Sequence, residues 1–218
     1  MLKKILINQK LIPVPVPLKT MREALEWVEN TLIRPGQSIT RVTLNGRSIS
    51  GERLENRSAS ELSSNLDDKS KLEFQVDTPA DLAIQTLEAI HNLAAVVLGG
   101  LKAQAVTCWQ ARPNERPPEV ETVHGDVVLM LDLLEHLRGL VDESGADMAA
   151  LSGIATMMNR VEVGIGMAKS NSDWKACARL LLNRLEPLLK DLVAESETLQ
   201  IKILATRGPR GAMVAEQG

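Results

Sequence analysis

The stretch from Pro79 to Ala111 constrains the fold most, because it is apolar along most of its length. Thr78 is a suitable N-cap, Pro79 suits the first helical position, and Asp81 places a carboxylate in the first turn. A first apolar face recurs at steps of three and four residues: Ala83, Leu87, Ile90, Ala94, Val97, Leu101, Ala105 and Cys108. A second face contains Leu82, Leu93, Val96 and Gly100. A helix that is apolar on two faces is buried, so we predict that other elements cover this one.

The chain before this helix is predicted to form a small sheet. Leu2–Asn8 and Leu11–Val16 are typical of two strands joined by a tight turn. The second strand has prolines at alternate positions, Pro13, Pro15 and Pro17. Alternate residues point their backbone N–H groups toward the same side, so the prolines remove hydrogen-bond donors from one side only. The strand can then pair on its other side alone, which predicts that it lies at the edge of the sheet.

A helix and a hairpin follow. Thr20 and Glu23 match a capping box, which predicts a helix over Met21–Leu32. Asn45-Gly46 lies between two short β-type runs and favours a two-residue type I′ turn. A polar linker with Leu54 and Leu62 as anchors then leads to a last strand, Lys71–Val76.

This order of hairpin, helix, short hairpin, linker and strand resembles the β-grasp fold of ubiquitin and of the small sulfur-carrier proteins. The resemblance covers residues 1–77, and it also rests on the run Val42–Arg47 and on the polar turn before the last strand. It implies a mixed sheet with one helix across a face. Those carriers act through a terminal Gly-Gly after the last strand, whereas here Val76 leads into Asp77-Thr78-Pro79, and Gly99-Gly100 is internal. The resemblance therefore implies the fold and not the carrier chemistry.

Three more helices are predicted after the apolar one. One begins at Gly125-Asp126, one covers Met148–Lys169, and one follows Ser170–Asp173 and should be kinked by Pro187. The expected inward residues of the first are Val127, Leu131, Leu134, Leu137 and Val141. Those of the last are Trp174, Ala178, Leu181, Leu185, Leu188 and Leu192. Short connections favour a mostly antiparallel four-helix bundle.

The predicted fold class is thus α+β, with a β-grasp-like mixed sheet and one helix followed by a four-helix bundle. The domains are residues 1–77 and 78–200, and we expect 201–218 to be a disordered tail. Among the residues predicted to be buried are Leu87, Val97, Leu101, Leu131, Leu134, Leu181 and Leu185.

Composition limits the possible functions. The net charge is −3, which gives no electrostatic reason to expect binding to nucleic acid or to an anionic membrane. The longest uncharged apolar run, Leu93–Leu101, is about half the length of a membrane span. Cys108 and Cys177 lie on apolar faces and are predicted to be buried free thiols. We therefore expect a cytoplasmic protein without a membrane segment.

Two Glu-x-x-His patterns could carry metal chemistry. Glu88 and His91 form one pair, and Glu121 and His124 form the other. Such pairs occur in di-iron helical bundles, where Glu162 and Glu186 could complete the ligand set. Against this, Glu121 and His124 precede Gly125 and are predicted to lie in a loop or first turn. A di-iron-type metalloenzyme is therefore the alternative hypothesis, and the main expectation is no cofactor and no enzymatic activity.

The main hypothesis is a non-enzymatic protein-interaction module, an adaptor or chaperone-like protein. The helical half distantly resembles small secretion or flagellar-export chaperones, which bind partner segments on a helical bundle. Residues 79–200 carry 17 acidic and 10 basic groups, which favours a basic amphipathic helix as partner. Self-association is the other hypothesis. The partner-binding candidates are leucines in excess of one stripe per helix: Leu129, Leu133, Leu140, Leu182 and Leu189.

Overall fold

The chain forms an α+β structure, which we describe from a computed structural model. The structure describes residues 2–49, 65–112, 114–144 and 147–206, so the linker residues Leu54 and Leu62 lie outside the described residues. The chain divides into two compact units, residues 1–79 and 80–218. Within the described residues, the first contains the strands and one helix, and the second contains helices.

The first unit is a five-stranded mixed sheet with the strand order β2-β1-β5-β3-β4. Its strands are β1 Leu2–Ile7, β2 Lys10–Leu18, β3 Ser38–Leu44, β4 Arg47–Ser48 and β5 Leu72–Asp77. β1 pairs with β5 in parallel, and the other pairings are antiparallel. The proline-bearing strand β2 lies at one edge, which confirms the prediction from the alternate prolines.

Two tight turns fix the register of the hairpins. Asn45 and Gly46 have φ values of 52° and 81°, which is the left-handed backbone that a type I′ turn needs. Asn8 and Gln9 join β1 to β2 with φ values of 47° and 68°. The Asn8 side chain also extends the sheet, because its Oδ1 accepts from Val76 N at 2.9 Å and its Nδ2 donates to Val76 O at 2.8 Å.

Helix α1, Met21–Thr31, packs its apolar side into the core of the sheet unit. Thr20 Oγ1 accepts a hydrogen bond from Glu23 N at 3.2 Å, as the capping box predicts. Glu23 in turn accepts from Lys19 N at 2.7 Å. The buried residues of α1 are Met21, Ala24, Leu25 and Val28, and Phe74 is the largest side chain of this core.

The second unit is built from helices around one continuous apolar core. The helices are α2 Pro79–Gln110, α3 Pro118–Ser144, α4 Ala149–Ser170, α5 Trp174–Leu180 and α6 Glu186–Thr206. A π turn, Leu181–Leu185, joins α5 to α6. Of the described helices, α2 alone has the length and composition to cross a membrane, a criterion that the core helix of a soluble protein also meets.

The predicted start of α3 at Gly125 is wrong, because the helix begins seven residues earlier at Pro118. Proline is favoured at the first helical position, and the glutamates of the first turn suit the positive end of the helix dipole. Gly125 costs the helix only about 1 kcal/mol. Burial of Val120 and Val123 offsets that cost.

The earlier start changes which residues of α3 face the core. Val120, Val123, Val127 and Met130 follow one another at helical spacing and are buried. Leu131, which was predicted to be nearly inaccessible, is only partly buried, so that prediction is wrong. The other members of the predicted set are confirmed as buried: Leu87, Val97, Leu101, Leu134, Leu181 and Leu185.

The π turn lies just before Pro187, where the sequence predicts a kink. Glu186 N donates to Leu181 O, five residues back, instead of four. Pro187 has no N–H to donate, so the regular ladder is interrupted here in any case. The wider turn rotates the buried face of the helix that follows by about one residue relative to a regular helix. Leu189 is therefore fully buried, whereas Leu188 is only partly buried. Helix α6 continues to Thr206, so the predicted disorder is wrong for 201–206, while 207–218 lie outside the described residues.

Candidate functional site

The two Glu-x-x-His pairs lie on α2 and α3, and each has its own partners on a different helix. His91 Nδ1 lies 3.6 Å from Glu197 Oε1, and Glu88 accepts from Gln200 at 3.3 Å. Within the described residues, no three His, Cys, Asp or Glu side chains form a group that could hold a metal. The structure therefore does not bring Glu88, His91, Glu121 and His124 together as di-iron ligands.

Glu121 lies in the first turn of α3, one of the two predicted places, and His124 lies in the next turn; both belong to a polar cluster between α3 and α4. His124 Nε2 lies 2.8 Å from Glu162 Oε1, and His124 Nδ1 lies 3.0 Å from Lys169 Nζ. Lysine has only donors, so we assign Nδ1 as the acceptor and Nε2–H as the donor to Glu162. Lys169 also donates to Glu121 at 2.5 Å. Every polar group in this cluster has a partner, which is typical of a structural clamp between helices.

The cluster predicts a change in the titration of Glu121. The hydrogen bond from Lys169 holds the pKa of Glu121 below its usual range. In a Lys169→Met variant we expect that pKa to rise toward the ordinary glutamate value, as read from carbon NMR of the carboxylate. The control Lys202→Met removes an exposed lysine elsewhere and should leave the pKa unchanged. An unchanged pKa in Lys169→Met would contradict the observed pairing.

The five partner-binding leucines have three different environments. Leu189 is fully buried by the shift that follows the π turn, so its assignment as a partner contact is wrong. Leu133 and Leu140 are partly buried and pack against the core of their own unit. Leu129 and Leu182 are exposed, at 49% and 38%. Of these two, Leu182 belongs to the π turn and lines a groove.

This groove, which we call the Trp109 groove, has a volume of about 410 Å³. It lies between α2 and the segment formed by α5 and the π turn. Its lining residues are Ala105, Val106, Trp109, Gln110, Ala178, Arg179, Leu182 and Asn183. Ala105 and Ala178 are buried, and their short side chains leave the space open between the helices. Val106 and Trp109 remain 52% and 51% exposed beside it.

Two cationic side chains contact the ring of Trp109. Lys175 Nζ and Arg179 Cζ lie 5.9 Å and 5.8 Å from the ring centroid. The two residues are four apart and so share one face of α5. Cation–π contacts of this kind orient the indole while half of its surface stays exposed.

A second groove, the Pro187 groove, has a volume of about 500 Å³. It lies between α4 and the segment formed by the end of α5, the π turn and the start of α6. Its lining residues are Met157, Arg160, Val161, Leu180, Asn183, Arg184, Pro187 and Leu188. Asn183 lines both grooves, so the π turn separates them. π turns inside helices occur frequently at functional sites.

The charged residues that line the Trp109 groove and the Pro187 groove are all basic. Neither groove is lined by an aspartate or glutamate. Two further grooves of the helical unit contain both signs, with Glu135 and Arg138 in one and Glu115 and Arg116 in the other. The π-turn region is therefore a local basic site in a unit with an acidic excess.

The two thiols do not add nucleophilic chemistry. Cys108 and Cys177 are free and buried, as predicted. Burial raises the pKa of Cys177 to about 11, and burial also raises that of Cys108. The thiolate is the reactive form, so both remain protonated and inert near neutral pH.

Sequence reasoning found Leu182 but missed Trp109 and Arg179 as its neighbours. Trp109 lies near the end of α2, and the residues it contacts are about 70 positions away in the sequence. Pro187 was a usable signal, because it marks the interruption of the helix that both grooves border. Comparison with known protein families, with curated proteins and with solved structures finds no match for this chain.

Proposed function

We propose that this protein is a non-enzymatic interaction module, an adaptor or chaperone-like protein, that binds a protein partner or a second copy through its helical unit. The observation that carries the proposal is the Trp109 groove, where three apolar side chains, Val106, Trp109 and Leu182, stay exposed around one opening. Contiguous exposed apolar surface marks interaction sites. Tryptophan and arginine are the residue types most enriched among residues that dominate binding energy.

The proposed architecture combines a β-grasp-like unit with a mostly antiparallel four-helix bundle. In support of the first, the strand order is β2-β1-β5-β3-β4 and the first and last strands pair in parallel. In support of the second, α2, α3, α4 and the α5–α6 segment share one core and are joined by short connections in the sequence.

The same proposal places the protein in the cytoplasm, without a cofactor and without nucleic acid or membrane as partner. Two free thiols are consistent with a reducing compartment. The net charge of −3 supports neither nucleic-acid nor anionic-membrane binding by the chain as a whole.

The test of the proposal is a variant that spoils the groove without disturbing the core. In Leu182→Asp, a carboxylate would point from an exposed position into the apolar opening and would be costly to bury in a complex. We expect self-association or capture of a partner from the native cell to fall at least tenfold, as measured by sedimentation velocity and by affinity purification.

The matched control is Met167→Asp, which changes an apolar side chain that is 63% exposed on α4 and lines neither groove. It should behave like the parent. A parent chain that is monomeric at low and high salt, with no partner that depends on Leu182, would defeat the proposal.

A further inference from the structure

We propose that the Trp109 groove binds an acidic amphipathic helix of a partner protein. This inference rests on the proposed function and deepens it, because it specifies the chemistry of the occupant. It also reverses the basic partner that the overall charge of the helical region predicts.

The shape of the groove suits a helix. Its two walls are helical segments, and its floor is made by the short side chains of Ala105 and Ala178. An amphipathic helix places apolar residues at spacings of three and four along one face, and such a face fits a groove between two helices. Val106, Trp109 and Leu182 supply the apolar surface that this face would cover.

The charges of the groove suit acids. Lys175 and Arg179 stand over Trp109, and Arg160 and Arg184 line the neighbouring Pro187 groove. Within the described residues, none of these four side chains forms a salt bridge. In the part of the chain that the structure describes, the two cations over Trp109 and the two arginines of the neighbouring groove have no carboxylate partner, and such charges attract acidic side chains and repel basic ones.

The carboxylate next to the π turn does not cancel this charge. Glu186 follows the turn directly and accepts a hydrogen bond from Lys190 at 2.8 Å. Lys190, with a smaller contribution from Lys102, holds the pKa of Glu186 below its usual range. Glu186 is thus paired with a lysine of its own helix, and among the described residues the arginines of the two grooves form no salt bridge with it.

The experiment uses the full chain and two model peptides. Each has about 16 residues, just above the length below which isolated helices are marginal in water, with leucines at spacings of three and four. The remaining positions are mainly glutamate in one peptide and mainly lysine in the other. Calorimetry at low salt should show at least tenfold tighter binding of the glutamate peptide, with an affinity that falls as salt is added.

Charge reversal at the groove provides the decisive comparison. The double variant Lys175→Glu/Arg179→Glu should bind the glutamate peptide at least tenfold more weakly than the parent and should prefer the lysine peptide. Lys202→Glu is the control, because it makes the same change at an exposed site 23 residues beyond Arg179, about 34 Å along a helix. Lys175→Gln/Arg179→Gln removes the charges without adding repulsion and should lower the preference for glutamate.

The outcomes separate this inference from the proposed function. Equal binding of both peptides, or preference of the parent for the lysine peptide, overturns the acidic occupant and leaves a binding groove in place. A parent dimer that Leu182→Asp dissociates, with no peptide binding, assigns the groove to a second copy and also overturns the inference. No peptide binding together with a monomeric parent and no Leu182-dependent partner defeats both.

Discussion

Replacing Phe74 by alanine is expected to lower the free energy of unfolding of the sheet unit by about 3–5 kcal/mol. Phe74 is fully buried and is the only phenylalanine in the chain. It lies on β5, the middle strand, opposite Ile7 of β1 and Val42 of β3. Its removal leaves a cavity that rigid strands on both sides cannot close, and the cost of a cavity adds to the lost hydrophobic transfer energy.

The measurement is equilibrium urea unfolding, followed by NMR signals of amides in the sheet so that the sheet unit is observed by itself. Leu11→Ala is the matched control, because Leu11 lies on the edge strand and is 60% exposed. It should change the stability by no more than about 0.5 kcal/mol. Equal urea midpoints for the parent and Phe74→Ala would show that Phe74 is not the centre of this core.

Replacing Leu101 by alanine is expected to destabilise the helical unit by about 2–5 kcal/mol. Leu101 lies on the buried stripe of α2 and is fully inaccessible. It belongs to one continuous apolar core, and the side chains around such a site relax only partly into the cavity that a truncation leaves.

The helical unit is followed by amide signals of α3 in the same urea experiment. Leu129→Ala is the control, since this leucine is 49% exposed on α3. Leu129→Ala should change the free energy of unfolding only slightly, because the half-exposed leucine side chain buries little apolar surface on folding. A Leu101→Ala variant as stable as Leu129→Ala would contradict the burial of α2.

The features that the sequence predicts well are local or depend on one strong rule. Asn45-Gly46 specifies its turn type through the backbone angles it tolerates, and Thr20 with Glu23 specifies a helix start. The alternate prolines specify an edge because they lack donors. These rules need no knowledge of distant neighbours, and the structure agrees with each of them.

The features that the sequence misses depend on context. In the sequence, Pro118 is typical of a loop. In the structure it begins α3, and this start is favoured because Val120 and Val123 are buried. The π turn shifts the apolar face by about one residue, so no regular pattern could show that Leu189 is buried and that Leu182 borders a groove.

The candidate site shows the limit of arguments from net charge. Residues 79–200 have seven more acids than bases, 17 against 10, which by itself predicts a basic partner. Lys175 and Arg179 nevertheless gather over Trp109 because helical spacing places them on one face. A binding site responds to the charges within a Debye length, about 8–10 Å, and not to the total.

The three prolines of β2 have a consequence for how the protein behaves when it is concentrated. The exposed edge of a sheet is a template on which further strands can add, and this is how fibrils grow. Pro13, Pro15 and Pro17 deprive the outer side of β2 of donors, and β4 at the opposite edge is only two residues long. Within the described residues, neither edge offers a long row of donors for an incoming strand. The sheet can therefore remain separate from other copies of itself at high protein concentration.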